Sequence, residues 1–311
     1  MDLPALRRFR EHVLPLDTVQ LLTHGNPLRA SAFLEYLNPA NGIYTAISEE
    51  AGNISIIGQI THSGNNRASH LSFISPGRGI FSPHLTEMMD HLAVQAGEWG
   101  TFHLLVDADE HSQYFDALRK SGFSVYAWQR IWKFQPNTTS SHLPGFEVPV
   151  GTWQTVEDRD SIGIKTLCQS LIPALVQPVE PLFDRKLDGL LRRTEGTITG
   201  YAEIIQGREG LWVQPFIHPQ TENVPGLLMD LLNTISKKCT TTVYICVRSY
   251  QAWIESALEE LPVLASPRQA LMVRHLAVMD KELSPIRIPA FEKTGVKPSA
   301  PVAHSETSKQ A

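Results

Sequence analysis

The sequence of 311 residues has little cysteine and no long apolar run. Its three cysteines, at positions 168, 239 and 246, include no Cys-x-x-Cys pair, so neither a disulfide framework nor structural zinc is expected. No stretch approaches the roughly 18 apolar residues of a membrane-spanning helix. Residues 1–10 lack the apolar stretch of a signal peptide. These absences predict a cytoplasmic protein without membrane contact.

An excess of positive charge is also lacking, since 27 Lys and Arg stand against 32 Asp and Glu, for a net charge of -5. This argues against a nucleic-acid partner, because binding to phosphates relies on clustered basic residues. No Gly-x-Ser-x-Gly, phosphate-loop or His-Glu-x-x-His motif occurs. The 12 histidines are scattered and none pairs with a cysteine at ligand spacing, so no metal site is expected.

The length favours two domains of about 150 residues each. A Pro-Asn-Thr-Thr-Ser-Ser stretch beginning at residue 136 has the composition of a linker. We therefore expect an N-terminal domain over residues 1–135, a linker over 136–149 and a C-terminal domain over 150–280. Residues 281–311 are rich in proline and small polar residues, which predicts a disordered tail.

The two halves show the same order of predicted elements. Alternating and helical apolar spacings predict two hairpin strands, a third strand, a helix, a strand, a helix and a closing strand, at 43–47, 54–60, 71–74, 85–98, 101–106, 112–120 and 123–134. The second half predicts the corresponding elements at 197–205, 211–217, 226–237, 242–247, 251–261 and 269–278. Matching points lie 140 or 141 residues apart. This favours a tandem duplication over two unrelated α/β domains.

Particular stretches strengthen the comparison. In the first half, Leu104-Leu105-Val106 through Lys120-Ser121-Gly122-Phe123 is similar to the closing strand-helix-glycine-phenylalanine segment of the GNAT family of acyl-CoA-dependent N-acyltransferases. In the second half, residues 200–204, 210–212 and 217–219 resemble that family's central hairpin and the strand that precedes its cofactor loop. The resemblance covers most of residues 15–135 and 150–279, in a tandem two-domain form with degenerate cofactor motifs.

The resemblance implies a mixed α/β fold, in which each half has a mostly antiparallel sheet flanked by helices. Two neighbouring strands splay apart, and their free backbone groups hold the pantetheine arm of acetyl-CoA or another acyl-CoA. The following loop starts a helix whose N–H groups suit a pyrophosphate. Both candidate loops depart from the family's glycine pattern. The cofactor-binding candidates are Ile74, Gly77, Arg78, Gly79 and Ser82 in the first half, which we favour, and Asn223 and Gly226 in the second.

The chemistry needs a base for the amine and often an acid for the leaving thiolate. The family's usual tyrosine acid is replaced by Leu118 in the first half and by Leu258 in the second. Tyr114, one helical turn before Leu118, could replace it, and His111 could contact the pantetheine arm or shuttle a proton. Glu203 on the second hairpin is the candidate base. Each of these residues has a purely structural alternative, as packing or surface groups.

The first hypothesis is therefore an acyl-CoA-dependent N-acyltransferase, in practice an N-acetyltransferase, that acts on a small amine or a protein N-terminus. The second is a catalytically inactive GNAT-fold protein that serves as an acyl-CoA-binding or protein-interaction module. The missing tyrosines and irregular loops keep this alternative open. A homodimer-forming scaffold without any ligand is the third.

Overall fold

Hairpins, helices and single strands alternate along the chain in a computed structural model that describes residues 12–26, 42–50, 53–63, 67–136, 149, 152–180 and 187–276. These residues belong to a compact unit, Met1–Val278. The predicted tail and most of the predicted linker lie outside the described residues. None of the helices in the described ranges combines the length and apolar character needed to cross a membrane.

The first half follows the predicted order, with a short strand and a helix before it. Its elements are β1 (Leu14–Pro15), α1 (Thr18–His24), β2 (Ile43–Glu50), β3 (Asn53–His62), β4 (Ala68–Ser75), α2 (Leu85–Glu98), β5 (His103–Asp109), α3 (Tyr114–Lys120) and β6 (Ser124–Phe134). A 3₁₀ turn at Gly77–Phe81 precedes α2. Helix α3 stops at the predicted glycine because Gly122 adopts a φ of 89°, which a side chain would strain.

The second half repeats this order. Its elements are β7 (Trp153–Thr155), α4 (Ser161–Leu171), β8 (Gly189–Thr194), β9 (Thr197–Gln206), β10 (Leu211–Ile217), α5 (Val224–Ser236), β11 (Val243–Arg248), α6 (Ala252–Glu259) and β12 (Leu264–His275). Strand β12 begins five residues before its predicted start at residue 269, because a bulge between Ala265 and Arg268 lets pairing continue past Pro267.

All strands join one sheet in the order β2-β3-β4-β5-β12-β6-β11-β10-β9-β8-β7, with β1 beside β4. Every pairing is antiparallel except β4 with β5 and β10 with β11. The last strand of each half lies in the other half's sheet, since β12 pairs with β5 and β6 pairs with β11. The two exchanged strands also pair with each other, which makes the sheet continuous.

Helices cover both faces of this sheet. Face B, as we name it, packs α2 and α3 against the first half and α5 and α6 against the second. Face A carries α4 and the segment of residues 172–180 over the second half, and Val179 reaches Leu105 on β5 and Val273 on β12. The predicted mixed α/β class is confirmed, since one mostly antiparallel sheet lies between helices on both faces. The domain boundaries within it stay a prediction.

Candidate functional site

Each half contains a pair of parallel strands that separate after three residue pairs. Strands β4 and β5 pair only from Ala68–His103 to His70–Leu105. Strands β10 and β11 pair only from Leu211–Val243 to Val213–Ile245. Beyond these points the facing edges diverge, as the family resemblance predicts. We call the gap between β4 and β5 the first cleft and the gap between β10 and β11 the second cleft.

The first cleft is filled by the chain's own backbone. Residues 14–18, which we call the N-terminal segment, lie between the two strands. The N–H of Leu16 donates to the carbonyl of Ser72 on β4 at 2.9 Å, and the N–H of Asp107 on β5 donates to the carbonyl of Leu16 at 2.9 Å. Strand β1 pairs antiparallel with β4, and the Leu16 side chain is buried. The segment therefore extends the sheet as an added strand would.

The second cleft is closed by side chains instead. The N–H of His218 donates to Thr199 on β9, so by the alternation of an antiparallel strand the backbone groups of Pro215 and Ile217 face the cleft. The Gln251 amide donates to the Pro215 carbonyl at 3.1 Å, and the Trp253 indole N–H donates to the Ile217 carbonyl at 3.2 Å. Both donors come from the turn and first residues of α6.

The predicted phosphate loop of the first half serves packing contacts. A Cβ on Gly77 would lie 3.3 Å from the Leu14 Cβ, and a Cβ on Gly79 would lie 2.9 Å from Ile56. These glycines therefore allow close approach within the protein. Ile74 is buried opposite Leu14, and the Ser82 hydroxyl accepts from the His84 N–H at 3.2 Å. Arg78 is exposed, and its contact with a phosphate stays a prediction.

The second loop leads into α5, whose N-terminus is largely satisfied. Asn223 takes a left-handed conformation with a φ of 51°, and its side-chain oxygen accepts from the Gly226 N–H at 3.1 Å. Pro225 has no N–H, and the Leu227 N–H donates to the Asn223 carbonyl. Of the first helical N–H groups, only that of Val224 stays available to a phosphate.

The candidate acid and base lie in different halves. Glu203 is buried on β9, opposite Gln214 of β10, on face A. Tyr114 packs into the core on face B together with Leu118, and His111 is exposed before α3. Five strand spacings separate β5, which α3 follows, from β9, a distance of about 24 Å at ~4.8 Å per spacing. The structure therefore does not bring Tyr114 or His111 together with Glu203. Leu118 and Leu258 are both fully buried.

A row of polar side chains, buried except for the partly exposed Asp107 and Gln269, crosses face A, one or two to a strand. It contains Asp107 on β5, Gln269 on β12, Gln129 on β6, Cys246 and Arg248 on β11, Gln214 on β10 and Glu203 on β9. Hydrogen bonds join part of this row: Gln269 donates to Asp109 at 3.0 Å and accepts from Gln129 at 3.0 Å. Arg248 donates to the Gln129 oxygen, and also to Glu180 at 3.1 Å. In the sequence, these residues are marked only as single polar residues at inward-facing positions of otherwise apolar strands.

Five polar atoms near the second cleft are buried without a hydrogen-bond partner among the described residues. They are Gln214 Nε2, Arg248 Nε, the Tyr250 hydroxyl, Gln251 Oε1 and Glu180 Oε2. They come from β10, the end of β11, the turn before α6 and the segment of residues 172–180, which covers face A. Leaving a buried polar group unsatisfied costs about 1–3 kcal/mol. None of these atoms belongs to the first cleft, whose edges the N-terminal segment satisfies.

The electrostatics of this region favour protonated thiols and hydroxyls. Burial raises the pKa of Cys246 to about 12, against the opposing effect of Arg248, so its thiol is not a nucleophile at neutral pH. Burial, then Glu180, raises the pKa of Tyr250 well above its usual value. Burial alone would lower the pKa of Arg248, but Glu180 and other neighbours outweigh it and raise the pKa. Among the described residues, no group of three or more His, Cys, Asp or Glu could hold a metal ion.

A surface cleft of about 670 Å³ opens beside β8. It is lined by Val156, Glu157, Asp158, Ser161, Lys165, Leu187 and Asp188. The Tyr201 hydroxyl donates to the Asp188 carbonyl at 2.8 Å, and the next residue, Gly189, is paired with Glu203. This cleft therefore lies next to the part of β9 that carries the candidate base, and its lining carries more negative than positive charge.

No known family profile and no curated protein matches the sequence. Among solved structures, the chain is similar to a GCN5-related N-acetyltransferase from Sphaerobacter thermophilus, with 10% identity, a TM-score of 0.49 and coverage of 72% of this chain and 78% of that one. The chain is also similar to a GCN5-related N-acetyltransferase from Kribbella flavida, with 13% identity, a TM-score of 0.48 and coverage of 79% of this chain and 93% of that one. A third similar structure is a tandem GNAT protein from the clavulanic acid biosynthesis pathway, with 12% identity, a TM-score of 0.47 and coverage of 79% of this chain and 87% of that one.

The repeated order of elements and the two pairs of splayed strands are features of this chain itself. They agree with the arrangement of strands that the sequence resemblance predicts.

Proposed function

We propose that the protein is an acyl-CoA-dependent N-acyltransferase whose cofactor site is the second cleft. The observation that carries this proposal is the group of five unpartnered polar atoms around that cleft. They offer donors from Gln214 and Arg248 and acceptors from Gln251 and Glu180. An extended ligand with amide groups, such as a pantetheine arm, would satisfy both kinds. This moves the proposed cofactor contacts from the first loop, which the sequence favoured, to the second half.

The second cleft can open at small cost. The hydrogen bonds from Gln251 and Trp253 to the β10 carbonyls are each worth about 1 kcal/mol net. A ligand N–H can replace each donor at the same carbonyl. Opening the first cleft would instead remove a strand with its backbone bonds and expose the buried Leu16. This difference in cost also favours the second half as the place for acyl-CoA.

Glu203 is the proposed base. Its carboxylate takes a proton from the amine, whose nitrogen then attacks the thioester carbonyl, and the carbon–sulfur bond breaks. The leaving thiolate needs a proton, and with Leu258 in the usual acid's place we assign that role to Tyr250. Its hydroxyl is buried near the second cleft without a partner in the described residues, and its raised pKa keeps it protonated at neutral pH. As the carbon–sulfur bond breaks, the attacking nitrogen loses its second proton, which restores the Tyr250 hydroxyl, so the products are the amide, free CoA and a protonated Glu203.

The acceptor is proposed to be a small cationic amine, with a protein N-terminus as the alternative. Three carboxylates, from Glu157, Asp158 and Asp188, and one Lys165 ammonium line the 670 Å³ cleft beside β8. This charge balance attracts a cation and raises its local concentration. The cleft adjoins the strand that carries Glu203, so an amine bound there has a short path to the base.

Thermal melting with acetyl-CoA tests the cofactor assignment. A ligand at 100 times its dissociation constant stabilises the folded protein by about 2.7 kcal/mol, which shifts the melting midpoint upward. Gln214→Leu should reduce this shift, because it removes a donor from the second cleft, whereas the control Arg78→Ala should leave it unchanged. A reduced shift in Arg78→Ala with a full shift in Gln214→Leu would return the site to the first loop. No shift with acetyl-CoA or longer acyl-CoAs contradicts the proposal.

Turnover separates the enzyme from the second candidate, a binding or interaction module without catalysis. The buried leucines at positions 118 and 258 favour that candidate, because neither half has the family's usual acid. CoA release is measured with acetyl-CoA and a panel of small amines. The enzyme proposal expects release that Glu203→Gln abolishes and Tyr250→Phe reduces, with acetyl-CoA binding retained in both variants. Binding without CoA release from any amine favours the module.

A further inference from the structure

We propose that the first cleft is a second acyl-CoA-type site, which the chain's own N-terminal segment keeps closed by lying where a pantetheine arm would lie. The choice of acyl-CoA as ligand rests on the proposed function. The occupation of the cleft by residues 14–18 is independent of it, because it follows from the backbone hydrogen bonds alone.

A single residue bridges the two edges of the first cleft. Leu16 gives its N–H to Ser72 on β4 and receives the Asp107 N–H of β5 at its carbonyl, both at 2.9 Å. The Leu16 N–H and the Leu16 carbonyl belong to two successive amides, so the peptide supplies a donor to one strand and an acceptor to the other. A pantetheine arm also carries two amides along an extended chain and offers the same two kinds of group, so the peptide and the arm compete for the same backbone positions.

A few contacts hold the segment in place. The Thr18 N–H donates to the Asp107 carboxylate at 3.0 Å, and the Thr18 hydroxyl donates to Gln269 at 3.3 Å. Asp17 caps α1 by accepting from the Gln20 N–H and lies 3.9 Å from the His70 ring. The Leu16 side chain fills the face B core of the first half. These anchors lie in and directly beside the segment, so single substitutions can weaken its hold without changing the strands that form the cleft.

The two clefts differ in a way that fits this inference. The unpartnered buried side-chain atoms of the described residues include five around the second cleft and none from Ser72, Asp107 or the N-terminal segment. The backbone groups of Ser72 and Asp107 at the edges of the first cleft already have hydrogen-bond partners in the N-terminal segment, as they would with a bound ligand. The glycine at position 77 contributes, because its missing side chain leaves room for Leu14, with 3.3 Å to the position of an added Cβ.

The test is the stoichiometry of acetyl-CoA binding by isothermal titration on two full-length variants. Leu16→Asp places a charge in the core and releases the segment, with Leu16→Met as its apolar control. Thr18→Pro removes the N–H to Asp107 and the hydroxyl to Gln269. Proline is tolerated at this first helical position, and Asp17 before it is already extended, at φ -120° and ψ 102°. Thr18→Ser keeps both groups and is the matched control.

Hydrogen exchange at the Leu16 and Asp107 amides reports whether the segment is released, and it keeps the test informative if Leu16→Asp does not fold. Released variants should bind one more acetyl-CoA per chain than wild type, and a synthetic peptide of residues 12–20 should remove the added site by competition. If the second cleft binds no acetyl-CoA, wild type should bind none and the released variant one per chain. The proposed cofactor site in the second cleft and the closed site in the first cleft can therefore be refuted independently. Release without an added site, or no release in either variant, overturns the inference.

Discussion

Removing one partner of the buried ion pair between Arg248 and Glu180 should destabilise the fold strongly, although the pair as a whole adds little net stability. Its side chains are 8% and 2% exposed, and the Arg248 Nη2 and Glu180 Oε1 atoms lie 3.1 Å apart. Removing one partner of a buried pair leaves the other charge unpaired, which costs about 3–5 kcal/mol. We therefore expect Glu180→Gln to lower the free energy of unfolding by that amount.

Replacing both partners should recover most of the loss, because apolar side chains of similar volume carry no desolvation cost. The double variant Glu180→Leu, Arg248→Met should be within about 1–2 kcal/mol of wild type. The control is the more exposed pair of Arg274 and Asp90, at 21% and 58%, where Asp90→Asn should cost less than about 1 kcal/mol. The free energies come from urea unfolding followed by circular dichroism. A cost for Glu180→Gln equal to that of Asp90→Asn refutes the reasoning.

Three further predictions follow from the fold. Leu258→Ala and Leu118→Ala should each lower the free energy of unfolding by about 2–5 kcal/mol, because both side chains are fully buried; a loss below about 1 kcal/mol in urea unfolding would contradict their packing role. Met272→Ala on β12 should speed hydrogen exchange in β4 and β5 more than in β9 and β10, because Met272 belongs to the core of the first half, and the reverse order would argue against strand exchange. Burial, and to a lesser extent the nearby Asp17 carboxylate, raises the pKa of Asp107 in the folded state. Ionisation of Asp107 therefore destabilises the folded protein at pH values above its unfolded-state pKa of 3.8. This destabilisation disappears as the pH falls below that pKa. Asp107→Asn should therefore be more favourable relative to wild type at pH 7 than at pH 3.5 in the same assay, and an advantage that grows toward low pH would contradict this sign.

The elements that carry strong periodicity were accessible from the sequence. Helix α2 was predicted over 85–98 and is observed over Leu85–Glu98, because its apolar residues recur at helical spacing and bury one face. The stop at Gly122 follows from its positive φ. The family resemblance predicted a pair of splayed strands, and the repeated order of elements implies such a pair in each half.

The sequence did not show which strands pair across the two halves or which groups fill the two clefts. The sequence of β12 is equally compatible with pairing to strands of either half. Its apolar periodicity shows which face is buried, but not which strand pairs with it. The N-terminal segment fills the first cleft through backbone groups, which every residue type supplies. Gln251 and Glu180 approach the second cleft from a turn and a covering segment, and nothing in their local sequence marks them as buried.

The most direct test of the account is hydrogen–deuterium exchange with and without saturating acetyl-CoA. We expect protection of amides over residues 213–226 and 246–253, which form the edges, loop and turn of the second cleft, with no change over 70–85 and 103–109. Protection confined to the first half, or the absence of any protection under conditions where binding is saturated, would contradict the assignment of the second cleft as the acyl-CoA site.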